Sequence, residues 1–131
     1  MAVGNWNLEG LLTKTIEITE NSSVVDANLF NYNLSSSINF DVSTEKIINC
    51  NVSDSNVALN IDDISVIKFV FLKILSAENM GDGIEVSFDG GSSFFPVNDY
   101  FILSNTNINS IHYSNNGTGN VQFLISVAGT E

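Results

Sequence analysis

The chain has 131 residues, 44% of them hydrophobic, and a formal net charge of -11. That length and apolar content fit one domain with a sizeable core. Lys14, Lys46, Lys68, Lys73 and His112 are its basic residues and it has no Arg, which excludes nucleic acid and argues against anionic membranes, since both need cations to displace counterions or grip phosphates.

The N-terminal stretch 1–12, MAVGNWNLEGLL, has no clean period, and Gly4 and Gly10 interrupt it. It is read as a lead-in or docking arm carrying Trp6, with the remaining residues, 13–131, as a single domain. It lacks a basic region and a sustained apolar run, so it does not read as a signal peptide. Residues 13–19 alternate, with Ile16 and Ile18 on one face, and 20–23 form a turn. Val24 and Val25 begin a short strand, and 28–34 alternate less cleanly before the Ser35-Ser36-Ser37 loop. Ile38, Phe40 and Val42 mark the cleanest strand of the first half; short strands over 47–52 and 57–61 follow, parted by a polar turn at Asp54-Ser55-Asn56.

Residues 64–75, ISVIKFVFLKIL, would suit a helix by length, but their Phe and β-branched content predicts a strand with a bulge. Residues 76–83 are expected to be a loop. The stretch 83–97, GIEVSFDGGSSFFPV, is the clearest hairpin. Ile84, Val86 and Phe88 share a face, Asp89-Gly90-Gly91-Ser92 supplies the reversal, and Pro96, with no N–H to donate, points to an edge strand or bulge. Another strand follows at 100–103. Ile108, Ile111 and Tyr113 lead to the Asn115-Asn116-Gly117-Thr118-Gly119 turn, and Val121, Phe123, Ile125 and Val127 close the chain as an alternating strand. About nine or ten short strands at this spacing predict an all-β fold: an antiparallel β-sandwich of jelly-roll or Greek-key type.

Chemistry finds little support. His112 is the single histidine; Ser114 two residues on would lie beside it with no orienting acid, so no catalytic residue is assigned and no enzyme is expected. Cys50 has no basic neighbour in sequence and no partner for an intrachain disulfide, so it reads as a small buried apolar group. One Cys and one His cannot build a zinc or iron site. Asp54-Ser55-Asn56, Asp62-Asp63 and Asp82-Gly83 could offer oxygens to calcium, yet none fits the twelve-residue calcium loop and Asp and Asn commonly serve the turn itself. No metal and no cofactor is assigned. The four Asn-x-Ser/Thr sequons, beginning at Asn21, Asn33, Asn51 and Asn116, match the roughly three or four that chance gives in so Asn- and Ser-rich a chain.

Two non-enzymatic readings remain. In the first, apolar residues left on outward strand faces mediate assembly: Leu124, flanked by Gln122 and Ser126 opposite Val121, Phe123 and Ile125; one of Phe94 and Phe95; and Trp6. In the second, Tyr32, Tyr100 and Tyr113 stack on sugar rings beside Asn and Asp. The segments IEVSFDGGSSFFPV (84–97) and INSIHYSNNGTGNVQFLISVAG (108–129) resemble the closing strands of small β-sandwich structural proteins of tailed bacteriophages: head decoration, head-fibre and tail accessory proteins. The shared features are a strand ending in DGG, an I-x-x-I strand, an Asn/Gly turn and a closing V-x-F-x-I-x-V strand, over about the last third of the chain. That resemblance implies a homo-oligomeric virion component, made in a host cytoplasm, whose partners are itself and other virion proteins, with a host-surface glycan as the alternative ligand.

Overall fold

Period-two alternation dominates the backbone of the computed structural model, which describes residues 4–14, 18–20, 23–26 and 30–131, with side chains described from Phe40 onward, Asn105 excepted. Twelve strands and no helix occur among the described residues. The chain divides into two compact units, Trp6–Ser37 and a larger one of Ile38–Glu131 with Met1–Asn5.

The smaller unit carries two two-stranded sheets. Strand β1 (Gly4–Lys14) pairs with β4 (Phe30–Phe40), so the stretch expected as a lead-in is a strand that runs through Gly10. Strands β2 (Ile18–Glu20) and β3 (Ser23–Asp26) pair antiparallel, with Glu20 opposite Ser23, in keeping with the reversal expected over 20–23.

In the larger unit, β5 (Val42–Cys50), β12 (Val121–Thr130), β7 (Val66–Ala77) and β10 (Tyr100–Ile108) form one antiparallel sheet in the order β10-β7-β12-β5. Strands β6 (Val57–Ala58), β11 (His112–Ser114), β8 (Ile84–Ser87) and β9 (Phe95–Val97) form the other, in the order β6-β11-β8-β9. The pairing is nested. The first of these eight strands pairs with the last, the second with the seventh, the third with the sixth and the fourth with the fifth, in alternate sheets.

The core lies between the two sheets. Val70, Leu72, Phe123, Ile125 and Val127 line it from the first; Ile84, Val86 and Val97 line it from the second, with Ile111 just before β11. Tyr113 meets Phe123 edge-on across the layer at 5.4 Å, and Phe88, Phe95 and Phe101 cluster with centroids 5.1–5.7 Å apart. Such aromatic pairs add to the area they bury, because ring edges carry partial positive charge and faces partial negative charge.

The expected strand over 64–75 forms as β7, shifted to Val66–Ala77, and its pairing with β12 shifts register between Gln122 and Phe123 and between Ala128 and Gly129, the expected bulge behaviour. Pro96 sits on the edge strand β9, and Gly90 and Gly91 take positive φ (76° and 95°) in the reversal. The expected strands over 38–43 and 47–52 are cut differently: the chain bends at Asp41 and β5 then runs unbroken from Val42 to Cys50. Polar residues at inward positions hid this continuity. Thr44 Oγ1 donates to Asp62 Oδ2 at 3.3 Å and Lys46 Nζ donates to the Asn60 carbonyl, so both serve the 59–65 loop.

Candidate functional site

The register of the first sheet places four side chains in one row on its outward side: Tyr100 on β10, Lys73 on β7, Leu124 on β12 and Ile47 on β5. Each faces away from the core because its chain neighbours, Phe101, Leu72, Phe123 and Ile48, point inward. Ile47 is 61% exposed and Tyr100 59%, while Leu124 is half-buried between its cross-strand partners. Leu75, at the bulge opposite Gln122 and Phe123, adds a fourth large apolar group, 45% exposed. Farther along the same face Phe71 and Ile102 are half-buried, and Phe69, Ser126 and Ala128 are buried. The exposed apolar surface is thus gathered at one end of the sheet.

Polar groups rim it. Lys73 Nζ pairs with Asp99 Oδ1 beside Tyr100; both partners are largely exposed, so the pair orients more than it stabilises. Gln122 Nε2 donates to Asn49 Oδ1 at 3.1 Å one step along the strands from the Leu124–Ile47 pair. Together with Ser76, Glu78 and Asn120 these amides line an open groove of about 300 Å³. The first sheet thus carries an apolar patch inside a polar rim.

The loops at this end are bound to one another. Asn115, buried at the start of the 115–120 loop, donates Nδ2 to the Cys50 and Gly119 carbonyls and accepts from Gly117 N–H on Oδ1. Its own N–H donates to the Asp54 carbonyl, and Asn120 Oδ1 accepts from Val52 N–H at 3.0 Å. The acidic residues weighed as calcium ligands are used in the same way: Asp54 Oδ2 accepts from Asn51 N–H, and Asp82 Oδ2 accepts from the Thr118 N–H and hydroxyl. Among the described residues no group of three His, Cys, Asp or Glu side chains is placed to hold a metal ion. Burial, reinforced by the charge of Asp54, pushes the Cys50 thiol up to about 11, away from any nucleophilic role near neutrality.

The second sheet presents a different outward face. Ser87 is fully buried there, directly across the ladder from His112. Its hydroxyl donates to Asp89 Oδ1 at 2.6 Å and accepts from Gly91 N–H at 3.0 Å, which folds the 88–94 loop back over it. A Cβ on Gly91 would press on the Asn56 amide, which would have to shift, and the positive φ itself favours glycine. Hydrogen bonds from Ser87 and from the Ser93 N–H hold the Asp89 carboxyl below its usual range. Ser114 is occupied too, accepting from Asn56 N–H at 2.7 Å, while His112 Nδ1 is buried without a hydrogen-bond partner among the described residues. These serines anchor loops, and among the described residues His112 Nδ1 makes no hydrogen bond to a serine or to Cys50.

Of the residues singled out by sequence, Leu124 and Tyr100 come together in the outward row. Phe95 does not: it packs against Phe88 and Phe101 at the core margin, and Phe94 before it is half-buried. Tyr113 also turns inward onto Phe123, and burial raises its phenol pKa, so it offers no platform to a sugar. The side chains of Trp6 and Tyr32 lie outside the described residues. Ile47 and Leu75 were not anticipated. Carrying the Val42 period through Thr44 and Lys46 would have put Ile47 outward; Leu75 depends on a bulge that has no local sequence signal. Comparison with protein-family models, with curated proteins and with solved structures finds no match to this chain.

Proposed function

We propose that the protein is a non-enzymatic structural component of a virion, a capsid-decoration or head/tail accessory protein that self-assembles and docks on a larger particle. The observation that carries this reading is the outward row of the first sheet, where Ile47, Leu124 and Tyr100 stand together with Leu75 near them. Large apolar groups gathered on a stiff sheet gain by being covered, at roughly 25 cal/mol per Å² of apolar surface removed from water. The nested order of the eight sandwich strands supports a jelly-roll reading, an architecture frequent in viral capsid and lectin domains. The phage setting rests on the resemblance of the closing strands. Native mass measured over a wide concentration range tests the reading: a discrete homo-oligomer supports it, and a monomer at high concentration with no affinity for any particle defeats it.

A second reading, carbohydrate or receptor binding, draws on one specific feature. The exposed Tyr100 ring stands beside the Lys73–Asp99 pair, an apolar face next to hydrogen-bonding groups. Glycan titration followed by tyrosine fluorescence should then show a response that Tyr100→Ala abolishes; a response surviving that substitution removes Tyr100 from the site.

A further inference from the structure

Asn116-Gly117 is the one Asn-Gly pair in the chain. Glycine after asparagine leaves the backbone nitrogen unhindered, and Asn116 is exposed to water at the tip between β11 and β12. Two hydrogen bonds hold the reacting groups apart. The Gly117 N–H, the nucleophile-to-be, donates to Asn115 Oδ1 at 2.9 Å, and the Asn116 amide that would leave donates to Glu85 Oε1 on β8 at 2.6 Å. A Cβ at 117 would come within 2.8 Å of Asp82 Oδ2, the oxygen that also receives the Thr118 N–H, so a larger residue there would have to displace that carboxylate.

We propose that Asn116 is a site of spontaneous deamidation whose rate is set by the Glu85 and Asn115 hydrogen bonds, and that the product loosens the 115–120 loop from β8. In this step the deprotonated Gly117 nitrogen bonds to Asn116 Cγ, the Cγ–Nδ2 bond breaks, and the amide departs as ammonia after taking a proton from solvent. Water then opens the resulting succinimide at either carbonyl and leaves aspartate or its β-linked isomer. No oxidant or reductant is involved. The new carboxylate has no proton to give Glu85, so an attraction becomes a repulsion between like charges, and the chain gains one negative charge beyond its formal -11.

The test ages the intact protein in mildly alkaline buffer and follows the amide-to-acid mass gain by peptide mapping. It compares the native chain, the chain in urea, and the Glu85→Ala and Glu85→Gln variants. Modification is expected at Asn116 before any other asparagine, about tenfold slower in the native chain than in urea, given the strength of a hydrogen bond to a charged group at an exposed site. Glu85→Ala is expected to be several-fold faster than native, while Glu85→Gln, which keeps a neutral acceptor oxygen, falls between the two. Equal rates in the native chain, Glu85→Ala and urea would overturn the proposal, as would earlier modification elsewhere. Backbone hydrogen exchange in Asn116→Asp reads the second half: faster exchange over 115–120 is expected, and unchanged protection contradicts the loosening.

Discussion

The two sheets of the sandwich treat their outward faces in opposite ways. The second is built of strands two to four residues long, and its outward side carries Ser87 and Ser114 beneath hydrogen-bonded turns and the 88–94 loop. The first has strands of nine to twelve residues and leaves Ile47, Leu75 and Tyr100 open. A loop that folds over a sheet demands small polar anchors, because every backbone group it brings down must find a partner. The first sheet's outward face keeps large apolar side chains exposed instead. The contrast separates outward residues that serve the chain's own loops from those that do not.

The largest effect should come from removing what the sheets share. Phe123 is 1% exposed and meets Tyr113 across the layer, so Phe123→Ala is expected to lower unfolding free energy by about 3–5 kcal/mol in a denaturant titration. A loss below about 1 kcal/mol would mean the layers do not depend on this contact.

Next come the two outward faces, set against each other. Ser87→Ala leaves the Gly91 N–H without its acceptor and should cost about 1–2 kcal/mol, whereas Ile47→Ser should stay within about 0.5 kcal/mol. Equal costs would erase the distinction between a face held by its own loop and a face left for a partner.

The pH dependence is smaller and differs in sign at the two ends of the scale. The Cys50 thiol is raised from 9.0 to about 11 by burial and Asp54, so the fold favours its protonated form. Its contribution is whole below pH 9, shrinks as the pH climbs and is lost above about 11. Cys50→Ala should flatten that part of the stability curve; an unchanged slope would assign it to other groups. The lowered Asp89 works in reverse: its contribution is present above the usual carboxylate range and fades as the pH falls through its depressed value. Protection of the 88–94 loop against hydrogen exchange, taken relative to the intrinsic rate at each pH, should therefore fall in acid, and should lose that pH response in Asp89→Asn.

Much of the sandwich was legible in the sequence because period-two alternation and Gly, Asp and Asn turns act locally. The 84–97 hairpin and the closing strand β12 show both signals. What escaped was non-local. Thr44 and Lys46 break the apolar period of β5 because their partners, Asp62 and the Asn60 carbonyl, lie in a loop more than a dozen residues away. Ser87 looked like an ordinary solvent-facing residue, and only the returning loop makes it a buried anchor. Leu124 was placed correctly from its flanks, but the row that includes Ile47 and Tyr100 comes from strand order. Which of Phe94 and Phe95 packs inward, and that Tyr113 meets Phe123, follow from neighbouring rings that the sequence does not place.

The most direct test of the outward row as an assembly surface is the native mass of the protein beside that of the Ile47→Asp, Leu124→Asp double variant across the same concentrations. Two carboxylates in the row should oppose its burial against another surface. The expected result is a discrete oligomer for the unaltered chain and a folded monomer for the variant. An oligomer that survives both substitutions, or an unaltered chain that stays monomeric throughout, would contradict it.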